Sequence, residues 1–368
     1  MTHRRTPRHL AAVALALLAP LLWAGPGTAD PTDVSLDPEK NTLAGSPADH
    51  LPPYVHRVLG SGMRPDWSPS GRALLYLDAP LGDVWRLNLK TGRRTNLTGR
   101  LGAHGFLRAH YLPSGDIVLC GPDHEVVAEG EDEPGRFDGR LWVLPKPYTK
   151  LTLLGRSCWE GLAISRKADR LAWNESTIDF TNPNEQFIAG KSQIWTGDIT
   201  RGPKGRPRLT KVRKVADRSD FDTAIAPIEV QDFRGPKEDE LILTAYGALT
   251  GEVYGIDLRT GTTTNYTGYS PFYEEAEGVA RSGRYVVVER DLMVNPIPGT
   301  LDLWALALDG SATFQRLTHF NRYTGYGASN PVVSPNDKKL AFQLSVADGA
   351  EGEGAGIYVL DIARAREG

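Results

Sequence analysis

The sequence predicts an all-β chain, a six-bladed β-propeller of four-stranded antiparallel blades, and three observations predict it. A strand with a central aromatic recurs six times at nearly equal spacing. A tight turn between two apolar strands stands ahead of most of these. A short closing segment follows most of them, and a matching segment occurs near the N-terminus.

The aromatic strands are DVWRLNL (Trp85), RLWVLP (Trp142), SQIWTGDI (Trp195), EVYGIDL (Tyr254), LDLWALAL (Trp304) and GIYVLDI (Tyr358). Their gaps of 57, 53, 59, 50 and 54 residues mark one unit used six times, and a fixed period of this size is the mark of a repeat architecture. An irregular β-sandwich would not produce six equal periods. The turns are SPSGRALLY from Ser68, LPSGDIVLC from Leu112, SRKADRLAW from Ser165, ARSGRYVVV from Ala280 and SPNDKKLAF from Ser334. Pro at the second turn position and Gly at the fourth suit a type I turn between strands. The fourth unit carries FRGPKEDELILTAY in place of the motif. The closing pieces are TNLTG near Leu97, KLTLLG near Leu151, TNYTG near Tyr266 and QRLTHF near Leu317. Two inner strands, an aromatic third strand and this fourth strand make a blade. The sixth unit lacks the fourth piece, and VHRVLG (Val55 to Gly60) is expected to supply it and close the ring.

Residues 1–29 read as a signal peptide: a basic head (Arg4, Arg5, Arg8), an apolar run from Leu10 to Ala24 and small residues at Gly27 and Ala29. The run is short for a membrane-spanning helix and contains Pro20, so no span is expected once the leader is removed. Residues 30–54 are expected to be an extended N-terminal segment and residues 55–368 the propeller. Without the leader, 39 Lys and Arg face 45 Asp and Glu. That mildly acidic balance argues against a nucleic-acid partner, whose phosphates select a basic stripe.

SPSGR, SPNDK, DVW…TGRRTNLT and LDLW…DG…RLT resemble the repeats of TolB-like, WD40-like propellers over about Val55 to Ile362. The resemblance implies a six-bladed binding protein that works outside the cytoplasm, in the periplasm, the cell envelope or the medium, and the chain is expected to be a monomer. It supplies no activity.

In a propeller the loops between second and third strands share a face with the loops that lead into the inner strands. The first set is long here: 120–140, 173–192, 289–300 and 343–356. Loops elaborated on one face of a rigid scaffold commonly carry function. The second set offers His104 and His110 before the second blade, Trp159 and Glu160 before the third, Tyr273, Glu274, Glu275 and Glu277 before the fifth, and Tyr326 and Asn330 before the sixth. Rings and carboxylates together suit a sugar or polar peptide. The structural alternative is that the acids are solvated and the rings pack between blades. CWEGLAIS and EAEGVARS both place Glu-Gly at the start of an inner strand, with Gly161 and Gly278 where blades crowd the axis. Two such glutamates could act as acid and base on a glycosidic bond or hold a hard cation such as calcium with Asn330. No organic cofactor motif is present. HEVVA at His124 lacks a second histidine, and neither GxSxG nor a phosphate-binding loop occurs.

The expected function is therefore non-catalytic binding of an envelope or extracellular protein, peptide or glycan through the long-loop face. The alternative is a carbohydrate-active enzyme, lyase or hydrolase, at the channel mouth. Cys120 ends the second strand of the second blade and Cys158 begins the first strand of the third, so the two ends lie on one face in adjacent blades and a disulfide is expected.

Overall fold

Apolar strands separated by glycine and proline turns pair with their neighbours in sequence, and six four-stranded antiparallel sheets result. The computed structural model describes residues 43–126, 138–178, 189–222, 227–247, 250–291, 301–347 and 354–366. The leader expected at residues 1–29 lies outside the described residues. Among the described residues no helix is long and apolar enough to cross a membrane.

The first blade comprises Met63–Trp67, Ala73–Leu77, Val84–Asn88 and Arg94–Asn96. The second comprises Arg108–Tyr111, Ile117–Gly121, Arg140–Leu144 and Thr152–Ser157. Trp159–Ile164, Arg170–Ile178, Ala189–Arg201 and Pro207–Asp217 form the third. Ile228–Arg234, Glu240–Tyr246, Gly251–Asp257 and Thr263–Asn265 form the fourth, and Tyr273–Val279, Tyr285–Asp291, Asp302–Ala307 and Phe314–Arg316 the fifth. The sixth takes Tyr326–Val333, Lys339–Val346 and Ile357–Asp361 from the C-terminal end and Val55–Leu59 from the other. Val55 faces Leu360, His56 faces Val359, Arg57 faces Tyr358 and Leu59 faces Ile357, so the ring closes as the sequence predicts. All six recurring aromatics stand on third strands.

Successive strand residues point to opposite faces of a sheet, and in a propeller each face meets a neighbouring blade. Second strands such as Ala73–Leu77 and Tyr285–Asp291 are consequently buried at every position. The core is distributed over six seams. Leu241 and Leu243 meet Ala163 and Val230 between the third and fourth blades, and Phe320, Phe342 and Tyr358 fill the seam between the fifth and sixth blades with ring centroids 5.4 to 5.7 Å apart. Residues 43–54 also lie against that seam: Ala48, Leu51 and Tyr54 pack on it, and His50 stacks on Tyr323.

Cys120 and Cys158 form a disulfide with Cα atoms 6.1 Å apart. It joins the end of a second strand to the start of the next blade, and its sulfurs lie in the seam between the second and third blades.

Two outcomes test this architecture. A chain lacking residues 55–60 leaves the sixth blade with an open edge, and it is expected to lose cooperative thermal unfolding as followed by circular dichroism. C120A/C158A removes a link across 38 residues of sequence; the expected cost is about 4 kcal/mol, or roughly 10 °C in Tm, measured by scanning calorimetry.

Candidate functional site: a charged axial channel

Each inner strand runs from the long-loop face to the hairpin face, and the six converge on the axis. Five of them carry a bulge at nearly the same level. The register shifts between Met63 and Asp66, Trp159 and Leu162, Val230 and Asp232, Ala276 and Gly278, and Ser329 and Val332. A bulge re-aims the side chain of its extra residue, and these residues are Arg64, Glu160, Gln231, Glu277 and Asn330. Arg64, Glu160 and Asn330 take left-handed backbone with φ of 50°, 27° and 50°, a conformation that non-glycine residues hold only when their surroundings impose it. The glycines after two of the glutamates have a spatial reason. A Cβ on Gly161 would stand 2.6 Å from Asn174 Oδ1 and from Glu229 Cγ, and one on Gly278 would stand 3.0 Å from the Pro331 carbonyl.

The contacts between non-adjacent blades can be made only across the axis. Arg64 of the first blade donates to Glu160 of the third at 2.7 Å and to the Leu107 carbonyl at 2.9 Å. Arg108 of the second donates to Asn330 Oδ1 of the sixth at 2.5 Å and lies 3.7 Å from Glu229 of the fourth and 4.0 Å from Glu277 of the fifth. The Asn330 N–H donates to Glu289 at 2.5 Å, and Gln343 accepts from the Arg64 N–H at 2.7 Å. Tyr246 Oη stands 2.9 Å from Glu229 Oε2 and 2.6 Å from Glu275 Oε1, while the Tyr273 hydroxyl donates to the other Glu275 oxygen.

Five glutamates, Glu160, Glu229, Glu275, Glu277 and Glu289, thus share the channel with two guanidiniums, Arg64 and Arg108. They cannot all ionise in this buried setting. Burial pushes the Glu229 carboxyl up to about 8, with Glu275 and Glu160 adding to the shift. Burial also raises Glu275, against the hydroxyls of Tyr246 and Tyr273, and lifts Glu277 and Glu289 well above the usual carboxylate range. The single Tyr246 hydroxyl proton cannot serve both carboxylates that flank it, so a proton on Glu229 completes the bridge. Burial works against the charge of Arg108, but Glu277, Glu160 and Glu229 outweigh it and hold the guanidinium protonated. Glu229, 1% exposed, keeps Oε1 without a hydrogen bond, and the buried Gln231 Nε2 below it is likewise unbonded.

Toward the hairpin face the channel widens into a cavity of about 110 Å³, bounded above by Arg64, Glu277 and Asn330. His110 lies there 3.4 Å from Asp66, and Asp232, pushed up to about 6 by burial against the pull of Arg166, pairs with that arginine. Among the described residues no three His, Cys, Asp or Glu side chains stand together in a geometry that would hold a metal ion.

The structure brings Glu160, Tyr273, Glu275, Glu277 and Asn330 together on the axis and separates the other predicted residues from them. All five belong to inner strands, not to the loops before them, because those strands begin well upstream of the hairpin motif. His110 is also within an inner strand and faces the hairpin side, away from the long loops. Strand alternation turns Glu274 into the seam between the fourth and fifth blades, where it pairs with Arg290 at 2.7 Å. Tyr326 packs on the seam between the fifth and sixth blades, buried Trp159 begins the third inner strand, and His104 sits exposed in the loop before the second blade. Of the long loops, 127–137, 179–188, 292–300 and 348–353 lie outside the described residues. Sequence reasoning missed Arg64, Arg108, Glu229, Glu289, Tyr246 and Gln343. The first three had a signal: a charged or amide residue stands four to six positions before the hairpin in every inner strand.

No family model matches the sequence, and no curated protein does. Solved structures match the fold. A gluconolactonase from Xanthomonas campestris is 14% identical with a TM-score of 0.52, the alignment covering 84% of this chain and 89% of that one. An oligogalacturonate lyase in complex with manganese is 10% identical with a TM-score of 0.50, covering 84% and 93%. TolB from Acinetobacter baumannii is 11% identical with a TM-score of 0.49, covering 82% and 63%. At these identities the likeness is one of fold.

The raised carboxyls set the direction of pH dependence. Unfolded, Glu229 releases its proton near the ordinary value of 4.5; folded, it keeps it to about 8. Between the two the native state holds more protons, so its stability is full below about 4.5 and is lost as pH rises through about 8. Thermal melts are expected to show Tm falling between pH 5 and pH 8, and E229Q should flatten that slope; a Tm that rises over this range would contradict the assignment.

Proposed function

We propose that this chain is an exported, non-catalytic binding propeller that takes a cationic group of a protein or peptide partner into the carboxylate-rich half of its channel. The observation that carries the reading is the excess of carboxyls over guanidiniums on the axis, together with Glu229 Oε1, buried and without a hydrogen bond. An ammonium supplies both the missing charge and the missing donors. A lysine side chain or a chain amino terminus fits better than arginine, because a compact charge on a thin stem suits a crowded passage and a planar fork does not. Glu229 and Glu275 stand near the start of their inner strands, at the end of the channel toward the long loops, and this supports approach from that face. Export is supported by the leader-like N-terminus and by the disulfide, which an oxidising compartment maintains.

A second reading has its own observation. Glu229 holds its proton to about 8, while Glu160, in the same channel, is paired with Arg64; carboxyls in contrasting environments are the arrangement of acid and base on a glycosidic bond. The neighbours named for gluconolactone and oligogalacturonate chemistry share only the fold with this chain.

Titration calorimetry with tetralysine and with lysine-bearing peptides separates the two. Binding is expected to release protons and to tighten from pH 6 to pH 9, as Glu229 gives up its proton, and to weaken at least tenfold in E229Q. Absence of binding, with release of products from a glycan panel that is abolished in E229Q, would replace the binding reading with the enzymatic one.

A further inference from the structure

The third blade differs from the others at its outer rim. Its last two strands, Ala189–Arg201 and Pro207–Asp217, have 13 and 11 residues, where the outermost strands of the first, fourth and fifth blades have 3. The turn that joins them lies on the hairpin face, where Arg201 reaches Asp116 in the second blade. Residues 201–214 contain seven Lys and Arg and no acid, and all seven are exposed. The rest of the chain holds 35 basic side chains against 45 acidic ones, so a single-signed strip sits on a protein of opposite net charge. Lys211 pairs with Asp198 and Lys214 with Asp217. Among the described residues Lys204, Arg206 and Arg208 form no ion pair.

Lysine on an exposed edge strand blocks edge-to-edge pairing, and two or three such residues would suffice for that. Seven without one interspersed acid cost self-repulsion that blocking does not require. Their arrangement also selects among anionic partners. At about 3.3 Å per residue the rim strand is roughly 35 Å long, and its cations are spread along this length and around the tip. A flat bilayer would meet the tip alone, and the strip has no aromatic residue to insert there. Single-stranded nucleic acid would find no ring to stack on.

We infer that the rim strand of the third blade binds a linear acidic polysaccharide, its carboxylate or sulfate groups lying along residues 204–214. The site is separate from the axial channel and does not depend on what the channel holds. Contacts of this kind are exposed and weaken with salt.

The test uses the full mature chain and K204E/R206E/R208E, whose three side chains are exposed and carry no fold contacts with acids. Wild type is expected to be retained on immobilised heparin and to bind polygalacturonate, with affinity falling as salt rises; the variant should elute at much lower salt and bind polygalacturonate at least tenfold more weakly, with an unchanged melting temperature. Equal binding by wild type and variant would overturn the inference. So would inhibition by monomeric galacturonate as strong as by the polymer, or binding to phosphatidylglycerol vesicles or duplex DNA without binding to either polysaccharide.

Discussion

Ring closure is the constraint on which this structure depends. Each sheet buries both of its faces against neighbours, so a blade is stable only with a blade on either side, and the sixth meets the first only because Val55–Leu59 completes it with Ile357–Asp361. An unclosed ring would expose two apolar faces and a sheet edge at once. The same geometry places the hydrophobic core in six seams and leaves the axis, where inner strands face one another, without an apolar filling. What lies on the axis must satisfy itself by hydrogen bonds and charge.

The bulges make that possible. A regular inner strand would send alternate residues to the two seams and present little to the axis. The extra residue in five strands points a charged or amide group inward at one level, and three of them hold left-handed backbone to do so. Such positions cost on the order of 1–3 kcal/mol each, which the seams on either side can offset. Close approach has a further consequence at Gly161, whose missing Cβ is the space that Glu229 occupies. The local strain and the polar cluster are therefore one feature: the backbone that brings six strands to the axis is the backbone that delivers the carboxyls.

The fold was legible in the sequence because its physical cause repeats. Every blade needs a hairpin into a doubly buried second strand and an aromatic third strand, so the pattern returns six times, and the missing outer strand of the sixth blade pointed to Val55–Gly60. Cys120 and Cys158 were legible for the same reason, since strand ends on one face of adjacent blades are neighbours. The channel was less so. The hairpin motif marks where an inner strand ends and nothing local marks where it begins, so residues of the strands were assigned to loops. Counting alternate positions back from Ala280 would have separated Glu274 from Glu275. Glu289, Tyr246 and Gln343 belong to second strands, and only the bulged geometry of their partners brings them to the axis.

Two charge distributions of opposite sign are held apart on this scaffold by the apolar seams. On the axis, five carboxyls and two guanidiniums interact while buried, where salt screens weakly, so their balance is set chiefly by protons. On the rim of the third blade, the exposed cations are governed by ionic strength. One surface is thus addressed by acidity and the other by salt, and neither needs the other to move. A propeller suits this division because each blade is its own sheet, so an elongated hairpin can be added at the rim of one blade without disturbing the register of the inner strands that converge on the axis.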